Sequence, residues 1–165
     1  MNIFYLDTDP KLCAQAHCDK HVVKMILEYA QLMSTTHRVL DAPSELHTSM
    51  YKLTHQNHPS RIWAGQSEGN YKWLYDLWFW TCKEYWWRYG KIHKTWEKLY
   101  NKVSHIPENI PAGSFTTPPQ CMPDHCKKTD TVEAYRTYYM IEKASFAKWG
   151  GTDGDMRATP NWFVV

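Results

Sequence analysis

The sequence predicts a mainly α-helical, single-domain protein: a helical bundle around a central aromatic helix, with a short N-terminal extended segment and long irregular connections. Three observations predict it. The chain has 165 residues, a length that suits one domain with a substantial core. Val22, Met25, Ile26, Tyr29, Leu32 and Met33 recur at steps of three and four, the period of a helix with one buried face. Between Tyr71 and Tyr89, the rings of Trp73, Tyr75, Trp78, Phe79, Trp80, Tyr85, Trp86 and Trp87 point in most directions around an axis. A helix apolar on most sides is buried on most sides, which makes this one the central element.

The elements follow in order. Residues 2–6 are apolar and read as extended. Asp9 is a helix N-cap with Pro10 at the first helical position, and the helix is expected over residues 10–39. Asp41-Ala42-Pro43-Ser44 breaks it. The segment Tyr51–Arg61, with His55, His58 and Arg61, reads as an ordered loop folded over a site. Asn70 is the expected cap of the aromatic helix, and Gly90 its left-handed end. A shorter basic helix is expected over residues 92–102. Residues 105–129 carry five of the nine prolines and form a long irregular connection, of a kind that is usually functional or wrapped on the surface. Asp130 and Glu133 have the spacing of a capping box. The last helix is expected to reach Trp149 and end at Gly150-Gly151, with Trp162 and Phe163 of the tail docked on the body.

Composition excludes some classes. Apolar residues make up 43% and charged residues 22%, as in soluble globular proteins. Net charge is only +2, so a nucleic-acid-binding face would have to come from local clustering. Lys91, Lys94, Lys98 and Lys102 are the densest basic run. The 9 Trp and 11 Tyr fill a core and also supply rings that stack on bases. Five cysteines in irregular spacing fit reduced thiols in a cytosol better than a disulfide framework or a zinc site. Neither a signal peptide nor a membrane-spanning helix is expected, and no cofactor.

The chemistry-bearing pattern is His17, His21, Lys24 and Glu28. Steps of four, three and four place side chains on one stripe at 3.6 residues per turn. Two imidazoles, an amine and a carboxylate in a line are an inventory of acid, base and nucleophile. Lys24 would serve as an amine nucleophile if its surroundings lowered its pKa. His17 and His21 would move protons near neutral pH, and Glu28 would orient the row. Arg38, His58 and Arg61 are candidate phosphate contacts, with Lys91, Lys94 and Lys98. His17-x-x-x-His21 also has the spacing of a two-imidazole metal site, with a third ligand from His55, His58 or Asp19. Without the glutamate of the zinc-protease motif that signal is weak, and Lys24 one turn away would repel a cation.

The stretches MNIFYLDTDP, DKHVVKMILEYAQLMSTTHR, NHPSRIW, NYKWLY, RYGKIH, PPQCMPD and EAYRTYYMIEKASFAKW resemble a family of small, uncharacterised phage proteins. That resemblance implies a phage-encoded protein of the host cytoplasm. The order of parts also resembles, more distantly, the phage pyrimidine-dimer DNA glycosylases of the endonuclease V type. Those are small helical enzymes with a helix histidine near the position of His17. Their nucleophile is an N-terminal amine exposed by loss of Met; with Asn2 following, the free amine here would belong to Met1. Their catalytic helix glutamate falls near Lys24, so neither group carries over directly. The resemblance implies a glycosylase/AP lyase, monomeric and acting on damaged double-stranded DNA. A His-based metal hydrolase or nuclease, and a non-catalytic module binding nucleic acid or a host protein, stay open beside it.

Overall fold

Asp9 starts the first helix as expected: its carboxylate accepts from the N–H groups of Lys11 and Leu12, and Pro10 fills the first turn, where no helical hydrogen bond is lost. The computed structural model describes residues 1–165 as six α-helices with no strand. These are α1 (Pro10–Ala16), α2 (Asp19–Leu40), α3 (Pro59–Ala64), α4 (Glu68–Tyr89), α5 (Lys94–Leu99) and α6 (Thr131–Tyr138). Short 3-10 turns lie at Glu45–Ser49 and Asp124–Cys126, and one π-type turn, Tyr139–Lys143, continues α6. No helix is long and apolar enough to cross a membrane. All five cysteines are free thiols.

The single helix expected over residues 10–39 is two. The chain turns extended at His17 and Cys18 before α2 begins. The cause lies far away in sequence. The buried guanidinium of Arg88, on α4, donates to the carbonyls of Gln15 (2.9 Å) and His17 (2.8 Å) and to the Asp19 carboxylate (3.1 Å). The last carbonyls of a helix have no partner within it, and here a charged side chain from another helix stabilises the break. Arg88 also pairs with Glu84 at 2.8 Å, and Glu84 with Arg157 from the C-terminal tail.

Helix α4 is the central element, packed on α1 and α2. Trp78 at its middle is fully buried and donates its indole N–H to the Ile26 carbonyl at 3.0 Å. Ser67 caps α4, one turn earlier than expected, its hydroxyl accepting from the Asn70 N–H. Asn70 itself is buried. It clamps the proline-rich connection, accepting from Thr116 N–H at 2.7 Å and donating to the Trp63 carbonyl at 2.9 Å. Gly90 (φ 66°) ends the helix in the left-handed conformation.

The expectation that α4 is buried on most sides fails at its C-terminal end. Thr81, Glu84 and Arg88 are all buried there; at steps of three and four they take the inward stripe. That arrangement turns Trp86 (56% exposed) and Trp87 (41% exposed) outward.

Residues 3–6 are buried and irregular, pairing with no strand and turning where the Leu6 N–H meets the Phe4 carbonyl at 3.0 Å. Side chains satisfy their backbone instead, as buried polar groups require. Phe4 N–H donates to the Tyr29 hydroxyl (3.2 Å), the Cys13 thiol to the Phe4 carbonyl (3.0 Å), and Arg136 to the Leu6 carbonyl (3.0 Å). The basic helix of residues 92–102 shrinks to α5, capped by His93. The last helix stops regular α geometry at Tyr138 rather than Trp149, although Asp130 caps its start through the Glu133 N–H.

Candidate functional site

His17 sits at the break between α1 and α2, not on the stripe with His21, Lys24 and Glu28. It is fully buried and doubly bonded. Its Nδ1 donates to the Cys13 carbonyl (2.7 Å), so its neutral Nε2 accepts from the Tyr29 hydroxyl (2.7 Å). His21 is also buried. Its Nδ1 lies 2.6 Å from the Tyr139 hydroxyl, and its ring stacks on Phe4 with centroids 4.2 Å apart. Burial disfavours the charged imidazole. It lowers the His17 pKa to about 4, with Arg88 adding to the effect, and the His21 pKa to about 2, with His17, Lys143, Lys24 and Lys20 adding to it.

These values correct two expectations. Neither imidazole exchanges protons near pH 7, because water is excluded from both. Nor does the pair hold a metal ion, since both His17 nitrogens are already committed.

Lys24 and Glu28 are the accessible part of the stripe. Lys24 is 62% exposed and lies 3.4 Å from Glu28, an ordinary pair one turn apart. The four groups therefore share no open cavity. Met1 is half-buried against the core, close enough for its amine to disfavour a charge on His58.

Three expected phosphate contacts have structural work instead. Arg38 donates to the carbonyls of Tyr51 (2.8 Å), His47 (2.7 Å) and Met50 (3.1 Å). Arg61 is buried and donates to the Gln56 carbonyl at 2.8 Å. His58 caps α3, accepting from the Ser60 N–H at 3.1 Å. The loop Tyr51–Arg61 thus folds on α2 and α3 rather than presenting these cations. Lys91, Lys94 and Lys98 are exposed, with Lys98 set over the Tyr51 ring at 4.1 Å.

An open surface rich in rings lies elsewhere, apart from two larger and more polar clefts beside Tyr51 and beside Asp41. Two adjoining grooves of about 190 and 170 Å³ share Trp86 and Lys83. Ile92, His93 and Trp96 line the first, and Lys11, Trp80 and Trp87 the second. Cations sit on this surface's rings: Lys11 lies 4.8 Å from the Trp80 centroid, Lys83 lies 5.5 Å from Phe79, and Arg157 lies 4.3 Å from Trp87. The sequence signal was the Trp86-Trp87 pair opposite the polar ladder Thr81, Glu84 and Arg88. A reading of the helix as uniformly buried passes over it. Compared with known protein families, with curated proteins and with solved structures, the chain matches none.

Proposed function

We propose that the protein binds nucleic acid through the tryptophan–lysine face of α4 and α5, with unpaired bases stacked on Trp86 and Trp87. One observation carries this reading: large rings stand open in two joined grooves with Lys11, Lys83 and Arg157 set among them. Exposed apolar surface of this kind marks an interaction site. Rings interleaved with cations suit a single strand, because every base offers a π-face and every linkage a charge. The partner class is then single-stranded nucleic acid, or a duplex with an extruded base.

The test is a fluorescence titration with oligothymidylate at two salt concentrations. Removing one stacked base is worth about 1–3 kcal/mol, so Trp86→Ala and Trp87→Ala are each expected to weaken binding about 5- to 150-fold. Affinity is expected to fall with added salt as counterions are released. Variants that bind as tightly as the parent would overturn the proposal.

A second reading keeps the chemistry of the pyrimidine-dimer glycosylase/lyases that the layout resembles. It is favoured by one fact: Lys24 presents an accessible amine beside the Glu28 carboxylate. An imine formed there on abasic DNA would be trapped by borohydride, and Lys24→Ala would abolish the cross-link. A cross-link that persists in that variant removes Lys24 from the reaction.

A further inference from the structure

The C-terminal end of α2 carries a buried polar group that the fold does not satisfy. His37 is fully buried, and its Nδ1 has no hydrogen-bond partner. The tautomer follows from its other nitrogen. The Tyr71 hydroxyl donates its one proton to the Val103 carbonyl at 2.7 Å. It therefore accepts from His37 Nε2, 3.0 Å away. The Nδ1 of the neutral ring is then a bare lone pair, aimed at Asp41 Oδ2 across 3.8 Å.

A buried lone pair facing a carboxylate is unfavourable unless something positive sits between them. At 3.8 Å no direct hydrogen bond joins them, since N–H···O bonds end near about 3.2 Å. Two ligands on one tetrahedral metal ion, each at about 2.0–2.1 Å, stand about 3.3 Å apart, a gap that small side-chain rotations reach. His47 completes the set: His37, Asp41 and His47 each offer one ligand atom, and these atoms all lie within 4.8 Å of one another.

The outer contacts are those of a held ligand set. Tyr71 fixes the His37 tautomer and ring, and the two Asp41 oxygens accept from the N–H groups of Glu108 and Asn109 at 2.9 Å each. Such second contacts orient metal ligands. The His105 carbonyl faces the His37 ring without reaching hydrogen-bond geometry. Asp41 and His105 also line an open cleft, which leaves a coordination position for water. A second grouping, His125, Cys126 and Glu142, differs: His125 and Glu142 already meet at 2.8 Å and are exposed.

We infer that His37 Nδ1, the Asp41 carboxylate and a ring nitrogen of His47 bind one divalent transition-metal ion of the zinc class, with a further position open to the cleft beside His105. Two imidazoles and a carboxylate are borderline donors, which suit zinc over magnesium or calcium. The site lies at the opposite end of α2 from His21, about 24 Å along the axis at 1.5 Å per residue, and is independent of the nucleic-acid surface.

The experiment uses the full chain, stripped with chelator and titrated calorimetrically with Zn²⁺ alone. One ion per chain is expected. X-ray absorption at the zinc edge of the loaded parent protein should give nitrogen and oxygen neighbours near about 2.0–2.1 Å and no sulfur. His47→Ala is expected to weaken binding by at least about 10-fold, the smallest effect usual for losing even an outer-shell partner. Cys126→Ser should leave it unchanged. No binding, sulfur in the first shell, or loss of binding in Cys126→Ser rather than His47→Ala overturns the assignment. The absorption measurement needs no variant, so it decides even if His47→Ala fails to fold.

Discussion

Replacing Arg88 with methionine is expected to cost about 3–5 kcal/mol of folding stability, the largest loss from any single polar change in this chain. Arg88 is 1% exposed and holds four partners: Glu84, Asp19, and the carbonyls of Gln15 and His17. Methionine fills similar volume but donates nothing. Glu84, itself buried, then loses the fully buried one of its two cations and keeps only the partly exposed Arg157. The carbonyls that end α1 lose their donor, and leaving such groups unmet costs more than the bond itself was worth. Urea denaturation of parent and variant measures the difference. Arg157→Ala is the control: Arg157 is partly exposed, and its loss leaves the Arg88–Glu84 contact in place, so its effect is expected to be smaller. A loss under about 1 kcal/mol for Arg88→Met would show that the break between α1 and α2 needs no such clamp.

Acid is expected to destabilise the protein from about pH 6.5 downward, beginning above the range in which carboxylates are titrated. His17 and His21 have folded-state pKa values of about 4 and about 2, against 6.5 for a free imidazole. Between pH 6.5 and 4 the unfolded chain takes up three protons that the native state refuses, the third at His37, whose burial lowers its pKa to about 4. Stability therefore falls as pH falls, by about 4 kcal/mol per pH unit where all three groups are linked. Above pH 6.5 both states are neutral at these positions and the dependence vanishes. Below pH 4 the His17 and His37 contributions level off while that of His21 continues. The loss sums to about 6 kcal/mol at pH 5 and about 9 kcal/mol at pH 4, so a domain in the lower part of the usual range of about 5–15 kcal/mol would be unfolded between these values. Chemical denaturation at a series of pH values reads the slope. His17→Gln should lower it by about a third, whatever its effect at pH 7. A stability that stays level from pH 7 to pH 4 would contradict the sealed, neutral state of both rings.

Much of the fold was legible because it is local. Asp9 and Asp130 cap the helices they were expected to cap, Gly90 ends α4, and the three–four spacing of Val22 to Met33 marks a buried face of α2. Each depends on residues within a turn of one another. The candidate site was far less legible. His17 and His21 stood out as an unusual pair, but a histidine meant for catalysis and one that bonds a buried tyrosine look alike in sequence. Arg38 and Arg61 likewise read as free cations until loop carbonyls are seen to take their N–H groups. Trp86 and Trp87 read as core, because the periodicity of α4 counts rings and gives no weight to the inward turn of Glu84 and Arg88.

By itself, the sequence determined the helical class, the starts of α1 and α6, the ends of α2 and α4 and the central place of α4, since caps, spacing and ring content act over a few residues. Only the tertiary structure decided where the first helix breaks, which imidazoles are sealed and which rings stay open. It alone brought His37, Asp41 and His47 within reach of one ion. These outcomes depend on partners as distant as Arg88 from Gln15 and Tyr139 from His21, and a buried polar side chain goes wherever a matching donor or acceptor waits.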